Sequence, residues 1–386
     1  MQLNLKSKIQ SKFISEFKTE PLLVFSPGRI NLIGEHTDYN NGFVFPAAIN
    51  KGIVVAVQKS ESNTSSIIAV DEDERYDFLL DSISPIKKGG WKNYALGIVG
   101  EIQKTGASID NFNLVFGGNI PKGAGISSSA ALENSIAYAI NELFNLGLTK
   151  KELIYISQKA EHNYVGVKCG IMDQYASMFG IKNAAIMLDC ESLEAKTVTL
   201  NLEGYSLLLI NSNVKHSLAE SAYNERRKTC EKIASILKVK SLRHATLKKL
   251  NSVKNGLADD EYQKALYIIQ ENQRVINAYE AIVEKDLLKL GDLLYDSHNG
   301  LKNQYKVSCE ELDFLVEKAK KSNAVIGARM MGGGFGGCTI NIVKNHLLEN
   351  FKKNITNLYS QKFNLKCSYY SVKLSHGTRL LSLNKN

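Results

Sequence analysis

Residues 121–131 read Pro-Lys-Gly-Ala-Gly-Ile-Ser-Ser-Ser-Ala-Ala. Gly123 and Gly125 let a backbone come close to a ligand. Ser127, Ser128 and Ser129 follow where a helix begins, so its free N–H groups and the positive end of its dipole converge on one spot suited to a phosphate. A plain helix cap needs one serine. Three of them after a two-glycine turn point to an anion cradle built from Gly123, Ala124, Gly125, Ile126 and the serines. The string is not a P-loop, because no G-x-x-x-x-G-K-[ST] occurs in the chain, and Ser128 stands where a dinucleotide fingerprint needs Gly or Ala. Another class of nucleotide binder is implied.

The patterning around this loop predicts strands at 42–58, 66–70, 76–80 and 112–116, where β-branched and aromatic residues cluster between turn signals. Helical spacing marks 91–104 and 127–144, the latter with Leu132, Ile136, Ile140 and Leu143 on one face. Thr149-Lys-Lys-Glu152 is a capping box that opens a helix through about Tyr164. Further strands are expected at 184–188, 197–202, 207–210, 339–343 and 366–373, and helices from Ser217 to Leu237, over 259–285 and over 309–321. This is α+β with segregated layers rather than a regular βαβ series. A boundary near residue 190 divides the chain into residues 1–190 and 191–386.

The chain of 386 residues, 44% hydrophobic and 23% charged, has the make-up of a globular protein with room for two cores. The N-terminus lacks the apolar run of a secretory signal and no stretch approaches a membrane span, so the cytoplasm is expected and a membrane role is not. Six cysteines (Cys169, Cys190, Cys230, Cys309, Cys338, Cys367) show no C-x-x-C spacing and are expected to be reduced and mostly buried. The net charge is +9, and residues 226–254 hold ten Lys or Arg against one acid, Glu231. The stripe has no aromatic interleaving and matches no nucleic-acid signature, so it reads as compositional habit and no nucleic-acid partner is expected.

Three other stretches carry chemistry. Residues 27–38, Pro-Gly-Arg-Ile-Asn-Leu-Ile-Gly-Glu-His-Thr-Asp, place Arg29, Glu35, His36 and Asp38 together. Leu32 and Ile33 give too little apolar content for a packed strand, and the mixed charges suit the hydroxyls of a small polar ligand better than a core; the alternative is a solvated loop. In Val167-Lys-Cys-Gly-Ile-Met-Asp-Gln174, Asp173 is a lone carboxylate that follows Glu161 by twelve positions. A serine hydroxyl plus Glu161 would anchor Mg2+, leaving Asp173 to accept a proton from an attacking hydroxyl. Five glycines in residues 332–337 include a formal G-x-G-x-x-G match. A helix-like run before and a strand-like run after reverse the dinucleotide context, so close backbone approach is the expected use.

Gly28 to Asp38, Pro121 to Ala131, Cys169 to Gln174 and Gly327 to Thr339 together resemble, in order, the motifs of the galactokinase family within the GHMP kinase superfamily. The resemblance implies ATP-dependent phosphorylation of α-D-galactose at O1, the first committed step of galactose metabolism, by a cytoplasmic monomer. It implies Asp173 as base and Arg29 as its charge partner. Glu35, His36, Thr37, Asp38, Gly170 and Tyr223 would hold the sugar, residues 123–129 the ATP phosphates, and Ser129 with Glu161 the Mg2+. It also implies two α+β lobes with the site in the cleft between them, a left-handed βαβ unit in the first lobe and a ferredoxin-like second lobe. Ile126 replaces a commoner Leu, and Met331-Gly-Gly-Gly a more usual Thr-Gly-Ala-Gly. Two alternatives remain: a relative acting on N-acetylgalactosamine or another hexose, and a non-catalytic sugar sensor. Against the sensor, Arg29, Ser127 to Ser129, Glu161 and Asp173 are all present.

Overall fold

The computed structural model describes residues 2–121, 123–215 and 219–382. Leu5, Ile9 and Phe13 recur every fourth position and form the buried stripe of α1 (Gln2–Phe17), an element absent from the expectations above. β1 (Leu22–Asn31), the short β2 (Phe43–Val44) and β3 (Pro46–Lys59) follow. β1 and β3 pair antiparallel and are covered on both faces. Leu23, Phe25 and Val54 pack with α1, whereas Val24, Val55 and Val57 pack into the main core. Burial on both sides accounts for the unbroken apolar run at 53–57.

β1 corrects the expectation that residues 27–38 are too poor in apolar content for a packed strand. Pro27 to Asn31 belong to the strand, and Leu32 and Ile33 are fully buried. Mixed polarity arises because the strand's last residues face a site, not solvent. The pairing with β3 shifts register between Pro27 and Arg29, a bulge that re-aims the Arg29 side chain.

β4 (Ser65–Ala69), β5 (Glu74–Phe78), α2 (Trp91–Gln103) and β6 (Phe112–Gly118) complete the sheet in the order β1-β3-β6-β4-β5. β4 and β6 are its parallel pair, joined through β5 and α2. α3 (Ser128–Phe144) and α4 (Lys150–Ala160) pack with α2 over this sheet. The Thr149–Glu152 capping box is present in both directions. α4 stops short of Tyr164, because Glu161–Val165 widens into a π turn closed by Gly166 N–H to Glu161 O. Such widened turns mark functional sites often enough to note. α5 (Met172–Phe179) leads to β7 (Ala184–Asp189) and β8 (Ala195–Thr199), which form a small sheet with β2.

β9 (Tyr205–Lys215) precedes α6 (Ala219–Ile236); the expected helix start at Ser217 lies outside the described residues. The remaining elements are α7 (Leu247–Ser252), α8 (Asp259–Val283), α9 (Leu287–Asn303), α10 (Glu310–Lys320), β10 (Val325–Met330), β11 (Gly336–Lys344), α11 (Leu348–Phe363), β12 (Ser368–Val372) and β13 (Arg379–Leu380). β10-β11-β9-β12 is a fully antiparallel sheet whose chain order β9, helices, β10, β11, α11, β12 is the ferredoxin-like plan. The glycine-rich segment therefore turns between two paired strands, which corrects the helix-to-strand context expected for it. The boundary expected at residue 190 falls in the β7–β8 turn, and β13 returns to pair with β1.

The basic residues of 226–254 are dispersed in contacts. Arg243 pairs with Asp189 and stacks over Phe43, Arg226 donates to Tyr305 O, and Lys232 and Lys240 meet Glu261 and Glu191. All six cysteines are free, four of them buried. Among the described residues no helix is long and apolar enough to cross a membrane.

α9 lies directly on β10. A Cβ on Gly291 would sit 2.0 Å from Ile326 O, and one on Gly327 would sit 2.4 Å from Gly291 Cα. Gly291→Ala should therefore force the layers apart and lower stability by about 1–3 kcal/mol. Urea unfolding of the purified variant measures this; an unchanged midpoint would mean the two elements do not touch.

Candidate active site

Between the two sheets lies a cleft of about 400 Å³ lined by the expected segments: the end of β1, the turn before α3, the start of α5, Tyr223 of α6 and the 332–335 hairpin. The decisive geometry is at Arg29. Its Nε and Nη2 donate to the two oxygens of Asp173 at 2.7 and 2.8 Å, and its Nη1 donates to Gly125 O at 2.7 Å. A planar guanidinium supplies this fork, which an ammonium would not. Ser127 Oγ donates to the same Asp173 Oδ2 that receives Nη2. Ser127 is held at φ 57°, in the left-handed region, just before the first residue of α3.

The signature turn is built from behind by α8. Tyr267 donates to Glu35 O, Gly34 N–H to Glu271, and Phe43 N–H to Asn272. Glu35 accepts from Asn31, from Arg329 at 3.0 Å and from Gly332 N–H at 2.8 Å. His36 reaches Gly333 O and Tyr39. Thr37 does not line the cleft; its hydroxyl donates to Gly34 O and Phe43 O and so staples the turn. Asp38 abuts Gly170, where an added Cβ would fall 2.0 Å from the carboxylate, so only glycine allows the approach. Tyr223 stacks near His36 with ring centres 5.4 Å apart. Gly123 to Ser129 and Glu161 also line the cleft; Lys122 lies outside the described residues.

Residues 11–59 match the family description "Galactokinase galactose-binding signature", 93–181 "GHMP kinases N terminal domain" and 278–361 "GHMP kinases C terminal". The chain is 42% identical over 354 residues to the galactokinase of Thermosipho africanus, covering 92% of this chain and 98% of the relative. The galactokinase of Clostridium beijerinckii is 40% identical over 383 residues, 97% and 98% of the two chains. The chain belongs to the galactokinase family. Its fold superposes on the crystal structure of Lactococcus lactis galactokinase complexed with galactose with a TM-score of 0.93, at 35% identity and covering 97% and 99% of the two chains. Methanococcus jannaschii mevalonate kinase, 17% identical and covering 93% and 100%, shares the fold at a TM-score of 0.66.

Within this galactokinase-family cleft the charges do not balance. Arg29 pairs with Asp173 and Arg329 with Glu35, while among the described residues Asp38, Glu161 and, outside the cleft lining, Glu133 form no ion pair. Burial, reinforced by the charge of Asp173, pushes Asp38 and Glu161 up to about 7. Burial, reinforced by the charge of Glu161, also pushes Glu133 well above the usual carboxylate range, and among the described residues its Oε1 is buried without a partner. An excess of buried carboxylate with an orphaned oxygen is a donor set that suits a divalent cation.

Several contributors lay beyond the sequence reading: Arg329, Tyr267, Glu271, Asn272, Glu133, Gln174 and Tyr39. Arg329 alone carried a signal, as a lone cation inside the apolar run Val-Ile-Gly-Ala-Arg-Met-Met.

Asp38 has its folded pKa raised from 3.8 to about 7, so its contribution to stability is fully present below the lower value and lost as pH rises to the upper one. Asp38→Asn should flatten that decline and raise the thermal midpoint of the ligand-free protein at pH 8 by about 2–4 °C. Calorimetry from pH 5 to 8 checks it. A variant whose midpoint follows the wild-type pH curve would show that Asp38 carries no buried charge.

Proposed function

We propose that the protein transfers the γ-phosphoryl group of ATP to O1 of α-D-galactose, giving galactose 1-phosphate and ADP. The Arg29–Asp173 pair, set beside the serine-tipped start of α3, carries this reading. Each carboxylate oxygen offers two lone-pair positions. Asp173 Oδ2 already accepts from Arg29 and Ser127, whereas among the described residues Oδ1 accepts only from Arg29 Nε, leaving one position for a sugar hydroxyl proton. Asp173 thus takes the proton as O1 attacks, and Arg29 offsets negative charge on the transferred group.

The backbone of 123–129 and the N-terminus of α3 hold the phosphates. Ser129 and Glu161 would hold Mg2+, which supplies charge neutralisation on the phosphate oxygens. A second pocket of about 360 Å³ shares Ser128 and Ser129 with the cleft and is walled by Trp91, Tyr94, Phe116 and Ile120. A purine ring matches those aromatic walls. The sugar and phosphate motifs with the base come from residues 1–190; Tyr223, Arg329 and the glycine hairpin come from 191–386. One chain supplies every group, which supports a monomer, and the cytoplasm supplies ATP.

Asp173→Asn should lower kcat for galactose by about a thousandfold or more while ADP still binds. A coupled ADP-release assay and calorimetry read the two quantities; near wild-type turnover would remove Asp173 from the mechanism. Comparing kcat/KM for galactose, glucose, talose and N-acetylgalactosamine tests the substrate. Trp91 is the sole tryptophan. Its fluorescence should change on ADP titration, and an unaltered spectrum at saturation would place the base elsewhere.

A further inference from the structure

His36 sits at the head of a buried chain of hydroxyls. Its Nε2 lies 3.2 Å from Gly333 O, and its Nδ1 lies 2.8 Å from Tyr39 Oη. Tyr39 Oη is 2.7 Å from Tyr305 Oη, which is 3.2 Å from Cys230 Sγ. The direction of every bond follows from the far end. A backbone carbonyl has no proton to give, so Nε2 must carry one. Burial drives the imidazole's pKa down to about 3, so the ring is neutral and Nδ1 is bare. Tyr39 then donates to Nδ1, its oxygen accepts from Tyr305, and the Tyr305 oxygen accepts the Cys230 thiol proton.

The rings leave little freedom for another arrangement. His36 packs against Tyr305 at 4.9 Å between centres, against Tyr39 at 5.8 Å, and Tyr305 against Tyr267 at 4.8 Å. Tyr305 is wholly buried. His36 is also held at φ 64°, so its backbone is committed as well as its ring.

We propose that the sugar site presents His36 as a fixed Nε2–H donor beside Glu35: Gly333 O sets the tautomer, and Tyr39, backed by Tyr305, is a positioning residue that holds the ring through Nδ1. The bond to Gly333 O is long, which leaves Nε2–H able to be shared with a ligand oxygen without the ring moving. A sugar hydroxyl meets this pair by accepting from His36 and donating to Glu35. A group that only donates finds no partner at His36. The role in sugar binding rests on the functional reading above; the tautomer does not.

Two measurements test it. In the full-length protein with 15N-labelled histidine, long-range 15N–1H spectra should show His36 with a bare Nδ1 and a protonated Nε2, its signal identified by loss in His36→Gln. A protonated Nδ1 in the ligand-free wild type overturns the proposal. Removing both hydroxyls together, Tyr39→Phe with Tyr305→Phe, leaves no orphaned phenol but takes the donor from Nδ1, so the thermal midpoint should fall modestly while the Nε2–H tautomer, set by Gly333 O, persists. That variant should have a KM for galactose raised about tenfold, with kcat within about twofold and KM for ATP unchanged. An unchanged galactose KM in the double variant would show that the phenols do not position His36. A wild type that neither binds nor phosphorylates galactose sinks the functional reading alone, because the tautomer is read without ligand.

Discussion

Arg29 joins three segments that the sequence keeps almost 150 residues apart. Its side chain grips Asp173 of α5 and Gly125 of the phosphate turn, while its own backbone N–H donates to Ile126 O at 3.1 Å. Two of the contacts fix the turn and one fixes Asp173, so the relation between the turn before α3 and this carboxylate is set by one rigid, planar group. The bulge at Pro27–Arg29 matters for the same reason. Without the register shift, a residue of β1 at this position would point along the regular pleat.

A second guanidinium does for the other side of the cleft what Arg29 does for the first. Arg329 has no exposed surface; it donates to Asn31 O, Leu32 O and Met330 O, and pairs with Glu35. Three carbonyls and a carboxylate satisfy its donors, which is the condition under which a buried charge persists. Glu35 in turn is not free to reorient. Among the described residues neither Asp38 nor Glu161 has such an ion pair, and their raised pKa values record a fold that keeps buried carboxylates in the cleft at a cost to its own stability.

The sequence carried the layers, the capping box, the helix that opens at Ser128 and the groups that converge on the cleft, because each depends on local periodicity or on turn chemistry. It did not carry β1 at all, since no strand was expected before residue 42, and the strand's end, which faces a site, loses the apolar alternation by which strands are read. α1 escaped for a different reason: Leu5, Ile9 and Phe13 are its few clear anchors, and only the two-sided sheet requires a cover there. Adjacency groups Thr37 with the ligand shell, because it stands among Glu35, His36 and Asp38; its hydroxyl is engaged by Gly34 O and Phe43 O within the turn. Support from α8 had no local signature at all. Tyr267, Glu271 and Asn272 act on residues 34–43 across more than 220 positions.

The glycine hairpin shows how a departure from the usual motif is absorbed. Gly332 donates to Glu35 and would place a Cβ 3.3 Å from Gly125 O at φ 87°, so the signature and the phosphate turn close on it from both sides. Gly334 is more confined, with Val307 O 2.1 Å from any added Cβ. Gly333, which stands where the motif more often has Ala, is different: its Cβ would meet the Tyr223 ring at 3.4 Å, an ordinary contact, and its φ is not in the left-handed region. Alanine therefore fits at 333 but not at 332 or 334. What this chain gives up there is one methyl against Tyr223, leaving the hydrogen bonds that bind the hairpin to Glu35 and His36 untouched.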